Sequence, residues 1–238
     1  MPCADRGARG WAQPPPSGSP LRHGGLSPPH PLLDRAAGDG RLPDWAHCSQ
    51  ARLEHIRRVR DLLASWGTAL GLEHAAMSRW LAAASLHDAL RDADPAEFVT
   101  DAVHPPDVGA RWPRHLLHGP ACAHRLLEEG VRDEALLRAV AYHTTGHPDL
   151  DEMGEYLYLA DFLDPGRDFM HEKRGSLRDR LPGERSAVLL EVIGLRIGHL
   201  LERRSTILEE TLRFWNRVAA ETERTESAEV DESKEARE

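Results

Sequence analysis

EHAAMSRWLAAASLHDAL, residues 73–90, decides the fold. The run from Leu81 to Leu86 is nearly apolar, and the stretch reads as one helix from about Glu73 to Leu90, central and buried. It ends on His87 and Asp88, both metal-ligand types. Neighbours on a helix point about 100° apart, so both reach one cavity only where the helix grazes it. An ionised Asp88 buried without a partner is poorly tolerated, which favours a metal beside it.

Outward from this helix the pattern stays helical. From Ser49, a plausible N-cap, Leu53, Ile56, Val59, Leu62, Leu63 and Trp66 recur at three- and four-residue steps, with Gly67 or Gly71 as the stop. On the other side Arg91-Asp92-Ala93-Asp94-Pro95 ends the central helix, and a loop holding Pro105, Pro106 and Pro113 follows. Helices are expected near 114–129 and 133–143 and within 150–163, then one long amphipathic run from about Glu184 to Ala220. Clusters of β-branched residues are few and no run alternates, so the expectation is an all-α domain over 44–220. The tryptophans, Trp66, Trp80, Trp112 and Trp215 among them, read as core or helix-interface residues.

The two ends differ from this middle. Residues 1–43 are rich in Pro, Gly, Ser and Arg, with prolines at 14, 15, 16, 20, 28, 29 and 31, and read as a largely disordered extension. The acidic stretch 221–238 reads as a disordered tail. The chain has 238 residues, a formal net charge of −9 and a pI near 5.9. That balance argues against a nucleic-acid partner, which needs a basic face. Cys3, Cys48 and Cys122 are scattered and odd in number, as in a reducing compartment. No apolar run approaches the ~20 residues of a membrane span, and no secretory signal stands at the start. The expectation is a cytoplasmic protein without membrane contact.

Beyond His87 and Asp88, four further ligand-type residues stand beside apolar helical stretches: His55 in RLEHIRRV, His118 in LLHGP, His143 in YHTTG and Asp161 in LADFLDPGR. Imidazoles and carboxylates bind transition metals, and a carboxylate can bridge two of them. Each histidine alone is an ordinary core or surface residue more often than a ligand; the weight lies in the set. His115 is an alternative to His118 under a shifted alignment, and His124 a weaker one. His23, His47, His104, His147 and His171 read as ordinary.

The order His…His-Asp…His…His…Asp resembles the HD-domain metal-dependent phosphohydrolases. LHGP at 117–120, YHTTG at 142–146 and YLADFLDPGRDF at 158–169 resemble the YqeK-type branch, whose members hydrolyse diadenosine tetraphosphate symmetrically. The likeness covers roughly residues 45–200. It implies one metal on His55, His87, Asp88 and Asp161, with Asp88 bridging to a second on His118 and His143. Iron is the first expectation, with manganese, nickel, cobalt or magnesium as alternatives. Two metals ~3.5–4 Å apart bring the pKa of a bound water to about 7 and clamp phosphoryl oxygens.

Asp88 and Arg91 are then the expected catalytic residues, Arg91 standing where the family often has Lys. Arg offers a planar fork where Lys offers a point charge. Thr144, Thr145 and Gly146 either end the helix that carries His143 or face substrate oxygens. Arg167 either neutralises a phosphate or pairs with Asp164 or Asp168. Asp164 takes the place of a frequent Glu. The implied partner is a small nucleotide, and a homodimer through the C-terminal run is left open. Competing functions are an HD hydrolase for a nucleoside monophosphate, cyclic dinucleotide or alarmone, and a nucleotide-binding module without turnover. The GYP motif of the cyclic-dinucleotide enzymes is missing.

Overall fold

The computed structural model of the protein describes residues 30–97, 108 and 111–235. Among these the regular elements are helices: α1 (Pro31–Gly38), α2 (Gln50–Ala69), α3 (His74–Leu86), α4 (His118–Glu128), α5 (Glu134–Tyr142), α6 (Glu152–Leu163), α7 (His171–Asp179), α8 (Arg185–Glu202) and α9 (Glu209–Glu235). The all-α expectation holds. Pro105 and Pro106 of the expected loop lie outside the described residues, as do residues 1–29. None of the described helices is long and apolar enough to cross a membrane.

α3 and α6 form the centre. α3 packs against α1, α2, α5 and α6, and α6 reaches α2, α5, α7 and α8 as well. Every residue from Met153 to Leu163 of α6 is buried, so this helix is enclosed on all sides rather than along one stripe. Burying a leucine such as Leu157, Leu159 or Leu163 stabilises by about 1.5–3 kcal/mol relative to exposure. Trp66 and Trp80 both lie against Tyr156 of α6, with ring centroids 5.8 and 4.9 Å away, and Trp112 is buried too. Ser49 caps α2, accepting from the Arg52 N–H, and Gly71 follows the helix with φ +68°.

Four local expectations change. The central helix stops at Leu86, not Leu90: His87 is its C-cap, and shorter i→i+3 bonds follow, from Ala89 N–H to Leu86 and from Arg91 N–H to Asp88. Tightening the turn there lets His87 and Asp88 both face inward. The run 184–220 is two helices, divided by a turn in which Arg204 takes φ +53°, and α8 and α9 pack together as a hairpin.

The other two changes are at the ends. Residues 31–38, expected to belong to a disordered extension, form α1. His30 caps it, Pro31 starts it, and Leu32 and Ala36, one turn apart, are buried against the core. The polar average over 1–43 hides this amphipathic octet. Residues 221–235, expected as a tail, continue α9, which is rich in the helix formers Glu, Ala, Arg and Lys.

Candidate metal centre

The site is assembled from helix ends. His87 is the C-cap of α3, His143 the C-cap of α5 and His118 the first residue of α4. His55 lies inside α2, and Asp161 in the last turn of the enclosed α6. All six expected donors, His55, His87, Asp88, His118, His143 and Asp161, are buried and converge. Asp88 sits at their centre. Its Oδ1 lies 3.3 Å from the Nε2 of both His118 and His143. Its Oδ2 lies 3.5 Å from His55 Nε2 and 3.6 Å from His87 Nε2. Asp161 Oδ1 is 3.4 Å from His55 Nε2. Two groups thus have ligand atoms close enough to share an ion, His55–His87–Asp88 and Asp88–His118–His143.

Each imidazole is oriented through its other nitrogen. Nδ1 of His87 faces the Ala84 carbonyl at 2.8 Å, that of His143 the Val140 carbonyl at 2.8 Å, and that of His118 the His115 carbonyl at 3.3 Å. In every case the acceptor is the carbonyl three residues back, left open at the end of α3 or α5 for His87 and His143 and lying in the 3-10 turn Arg114–Leu116 before α4 for His118. His55 is mid-helix, where the local carbonyls are used, and takes Asp164 Oδ2 at 2.8 Å instead. Asp164 is fixed in turn by Arg58 at 2.6 and 2.9 Å and by the Gly166 N–H at 2.9 Å.

With Nδ1–H donating outward, the Nε2 atoms turn inward with their lone pairs, His55 doing so once it has lost its second proton. Lone pairs so disposed, with His118 and His143 Nε2 only 3.2 Å apart and His55 and His87 Nε2 3.3 Å apart, repel unless a cation or proton lies among them. The nitrogen and carboxylate donor set therefore fits a divalent transition metal. The electrostatics agree. Burial opposes charge on Asp88, yet the surrounding imidazoles hold its carboxyl well below the usual range. Asp161 behaves likewise: burial would raise it, and His55, Arg167 and Arg196 bring it well down. Burial pushes His87 down to about 3, so it is neutral. For His55 burial is outweighed by Asp161 and Asp164, and the pKa rises to about 9.

The other sequence-derived residues separate. Arg91, Thr144, Thr145 and Arg167 line a cavity of about 1490 Å³ that opens on Asp88, His118, His143 and Asp161. Thr144 Oγ1 lies 3.0 Å from His143 Nε2 and 3.4 Å from His118 Nε2. Thr145 is buried, and its carbonyl accepts from Thr211 of α9 at 2.8 Å. Gly146 has a packing role. It has φ +73°, and a Cβ there would stand 2.2 Å from the Phe214 ring, so it admits α9 against the core. Arg167 pairs with Asp161 at 2.6 Å, rather than with Asp164 or Asp168. The His115 ring lines the cavity without joining the donor cluster, while its carbonyl orients His118. Gly119 of LHGP brings α4 against α5, for a Cβ there would meet the Val140 and Ala141 carbonyl oxygens at 2.8 Å.

Several contributors were not foreseen. Arg52 lies 2.5 Å from Asp88 Oδ2, and Arg196 of α8 reaches Asp161 Oδ2 at 3.1 Å and the Thr144 carbonyl. Arg58 holds Asp164, as above. One sequence signal did exist for Arg52 and Arg58: they stand three residues either side of His55 on one helix, hence near its face. Arg196 carried none.

Residues 52–166 match the family model of the HD domain. A protein of Halalkalibacterium halodurans named bis(5'-nucleosyl)-tetraphosphatase, symmetrical, is 30% identical over 107 residues, 44% of this chain and 56% of that one. Proteins of the same name from Staphylococcus aureus and Bacillus subtilis are 42% identical over 53 residues and 37% over 67. These cover 22% and 25% of this chain and 27% and 36% of the relatives. The matched part thus spans about half the length of the first relative and less of the others. The crystal structure of a predicted HD superfamily hydrolase involved in NAD metabolism from Clostridium acetobutylicum shares the fold, with a TM-score of 0.65 at 20% identity over 80% of this chain and 96% of that one.

Proposed function

We propose that the protein is a metal-dependent phosphohydrolase that cuts a dinucleoside tetraphosphate symmetrically into two nucleoside diphosphates. The observation that carries the reading is Asp88, one carboxylate whose two oxygens face two different histidine pairs. His55, His87, Asp88 and Asp161 would hold one divalent cation, and Asp88, His118 and His143 a second, with iron the first choice and manganese, nickel, cobalt or magnesium as alternatives. Such a pair, when bound, supplies Lewis-acid polarisation of phosphoryl oxygens and an activated water.

The protein's own residues do the rest. The backbone carbonyls and Asp164 keep every imidazole turned inward with its proton on Nδ1. Arg52, Arg91 and Arg167 line the cavity and oppose the charge of a polyphosphate that the carboxylates alone would repel. The Thr144 hydroxyl stands at the His118–His143 edge, within reach of a phosphate oxygen there. The name shared by the three relatives supports the substrate.

Chromatography of products from diadenosine tetraphosphate, with protein reconstituted in ferrous or manganese salt, tests this. Adenosine diphosphate alone is expected. AMP plus ATP would overturn symmetric cleavage, and turnover of a nucleoside monophosphate instead would replace the substrate. Nucleotide binding without turnover of either would leave a binding module.

A further inference from the structure

Arg174 on α7 is 2% exposed, and among the described residues no hydrogen bond or ion pair reaches its guanidinium. Its Nε and Nη1 are buried without partners. The cation is not free to turn away, because the Phe162 and Phe169 rings lie 4.7 and 4.2 Å from its central carbon. Stacking engages the face of the guanidinium and leaves its in-plane N–H donors unanswered. A buried charge with unanswered donors is strongly unfavourable unless something supplies acceptors.

Arg174 lines the same cavity as the donor cluster, and so do Arg167 and Arg196. Those two share the single carboxylate of Asp161, at 2.6 and 3.1 Å. Asp164 is committed to His55 and Arg58. Glu191, a carboxylate that α8 contributes to the cavity wall, pairs with Lys173 and Arg180. Asp161 and the Thr144 carbonyl thus serve Arg167 and Arg196, and among the described residues Arg174, beside them, is left without an acceptor. Burial, then Arg167 and Arg196, lower the Arg174 pKa to about 10 against the opposing pull of Asp161 and Asp164, which still leaves it charged at neutral pH.

We propose that Arg174, flanked by Arg167 and Arg196, forms an anion subsite beside the donor cluster for a phosphate group of a nucleoside diphosphate. That the phosphate belongs to a nucleotide rests on the function proposed above; the need for a multivalent oxyanion rests on the arginines alone. A phosphate offers several acceptor oxygens on one small group, enough to satisfy more than one guanidinium together. The subsite also gives the α7–α8 segment, beyond the HD-domain match, a part in recognition.

The test is calorimetric titration of the full chain, with its metals, using ADP, pyrophosphate and adenosine as probes. Arg174→Met is expected to weaken ADP and pyrophosphate by at least about tenfold, the loss typical of a charged hydrogen bond, and to leave adenosine unchanged. Equal ADP affinity in variant and wild type, or equal weakening of ADP and adenosine, would overturn the subsite in favour of a packing role. Should Arg174→Met not fold, Arg174→Lys carries the test with a smaller loss in the same direction, on ADP and not on adenosine. Arg174-dependent ADP binding without tetraphosphate turnover would keep the subsite and reject the reaction. Turnover with unchanged ADP affinity in the variant would do the reverse.

Discussion

The two halves of the donor cluster are built differently. His118 and His143 are oriented by carbonyls three residues back in their own chain segment, and Gly119 sets α4 tightly on α5 between them. His55 depends on Asp164, 109 residues away, itself held by Arg58. The first half comes from local backbone geometry and one close helix contact. In the second, His87 is likewise set by the Ala84 carbonyl, but His55 rests on a tertiary construction of charged side chains. Asp88 belongs to both, and so the halves differ in what disturbs them while sharing one point of failure.

The largest effect is expected at that shared point. Asp88→Ala removes the only carboxylate among the described residues that faces both halves, and turnover of the tetraphosphate should fall by at least about a thousandfold, as the loss of several kcal/mol of transition-state stabilisation implies. His47→Ala, whose backbone alone bonds the core through Ala89, should leave the rate near normal. Near-normal turnover in Asp88→Ala would mean that the chemistry is elsewhere.

Asp164→Asn separates the halves. It keeps the shape and loses the charge that orients His55, so metal affinity or activity should drop about 10–100-fold. In a chelator competition one ion should leave early while the other stays. Simultaneous loss of both would show that the halves are not independent. Gly119→Ala is the counterpart on the local side. Its methyl must displace two carbonyl oxygens, at a cost of about 1–3 kcal/mol in thermal unfolding, with the ion of the His118–His143 half the one weakened.

The mildest perturbation is a change of pH, which alters no residue. With its pKa raised to about 9, His55 carries a proton at neutral pH when no metal is bound, and that proton must leave before Nε2 can donate. Metal affinity at the His55 half should therefore rise with pH, by up to about tenfold per unit, and level off above about 9. His87, lowered by burial to about 3, adds no step in that range. A flat profile from pH 6 to 9, read by metal titration, would contradict the assignment of His55 as a donor.

This contrast also explains what was legible in the sequence. The donors could be read because His and Asp beside apolar helical runs are uncommon and the adjacent His87-Asp88 anchors the set. The all-α class followed from the three- and four-residue periodicity. The break of the central helix at Leu86 could not be read, since Ala89 and Leu90 continue the helical pattern and only the pull of His87 and Asp88 into the cluster tightens the turn. α1 was hidden because eight ordered residues are lost in a Pro-rich average.

The division of 184–220 went unseen because no proline or glycine marks it, Arg204 itself taking the positive φ. Arginines were the main blind spot. Arg52, Arg58, Arg174 and Arg196 look like ordinary charged positions on helices until packing fixes them around Asp88, Asp161 and Asp164. The role of Gly146 became clear only with α9 in place, because the Phe214 ring that excludes a Cβ comes from 68 residues later.

The central claim is that one carboxylate joins two ion-binding halves, and metal stoichiometry tests it most directly. Elemental analysis of the full chain, purified without chelator or reconstituted with iron, manganese or nickel, should give about two ions per chain for the wild type and fewer than about one for Asp88→Ala. A folded wild-type protein that holds no ion, or an Asp88→Ala variant that keeps the full wild-type content, would contradict it.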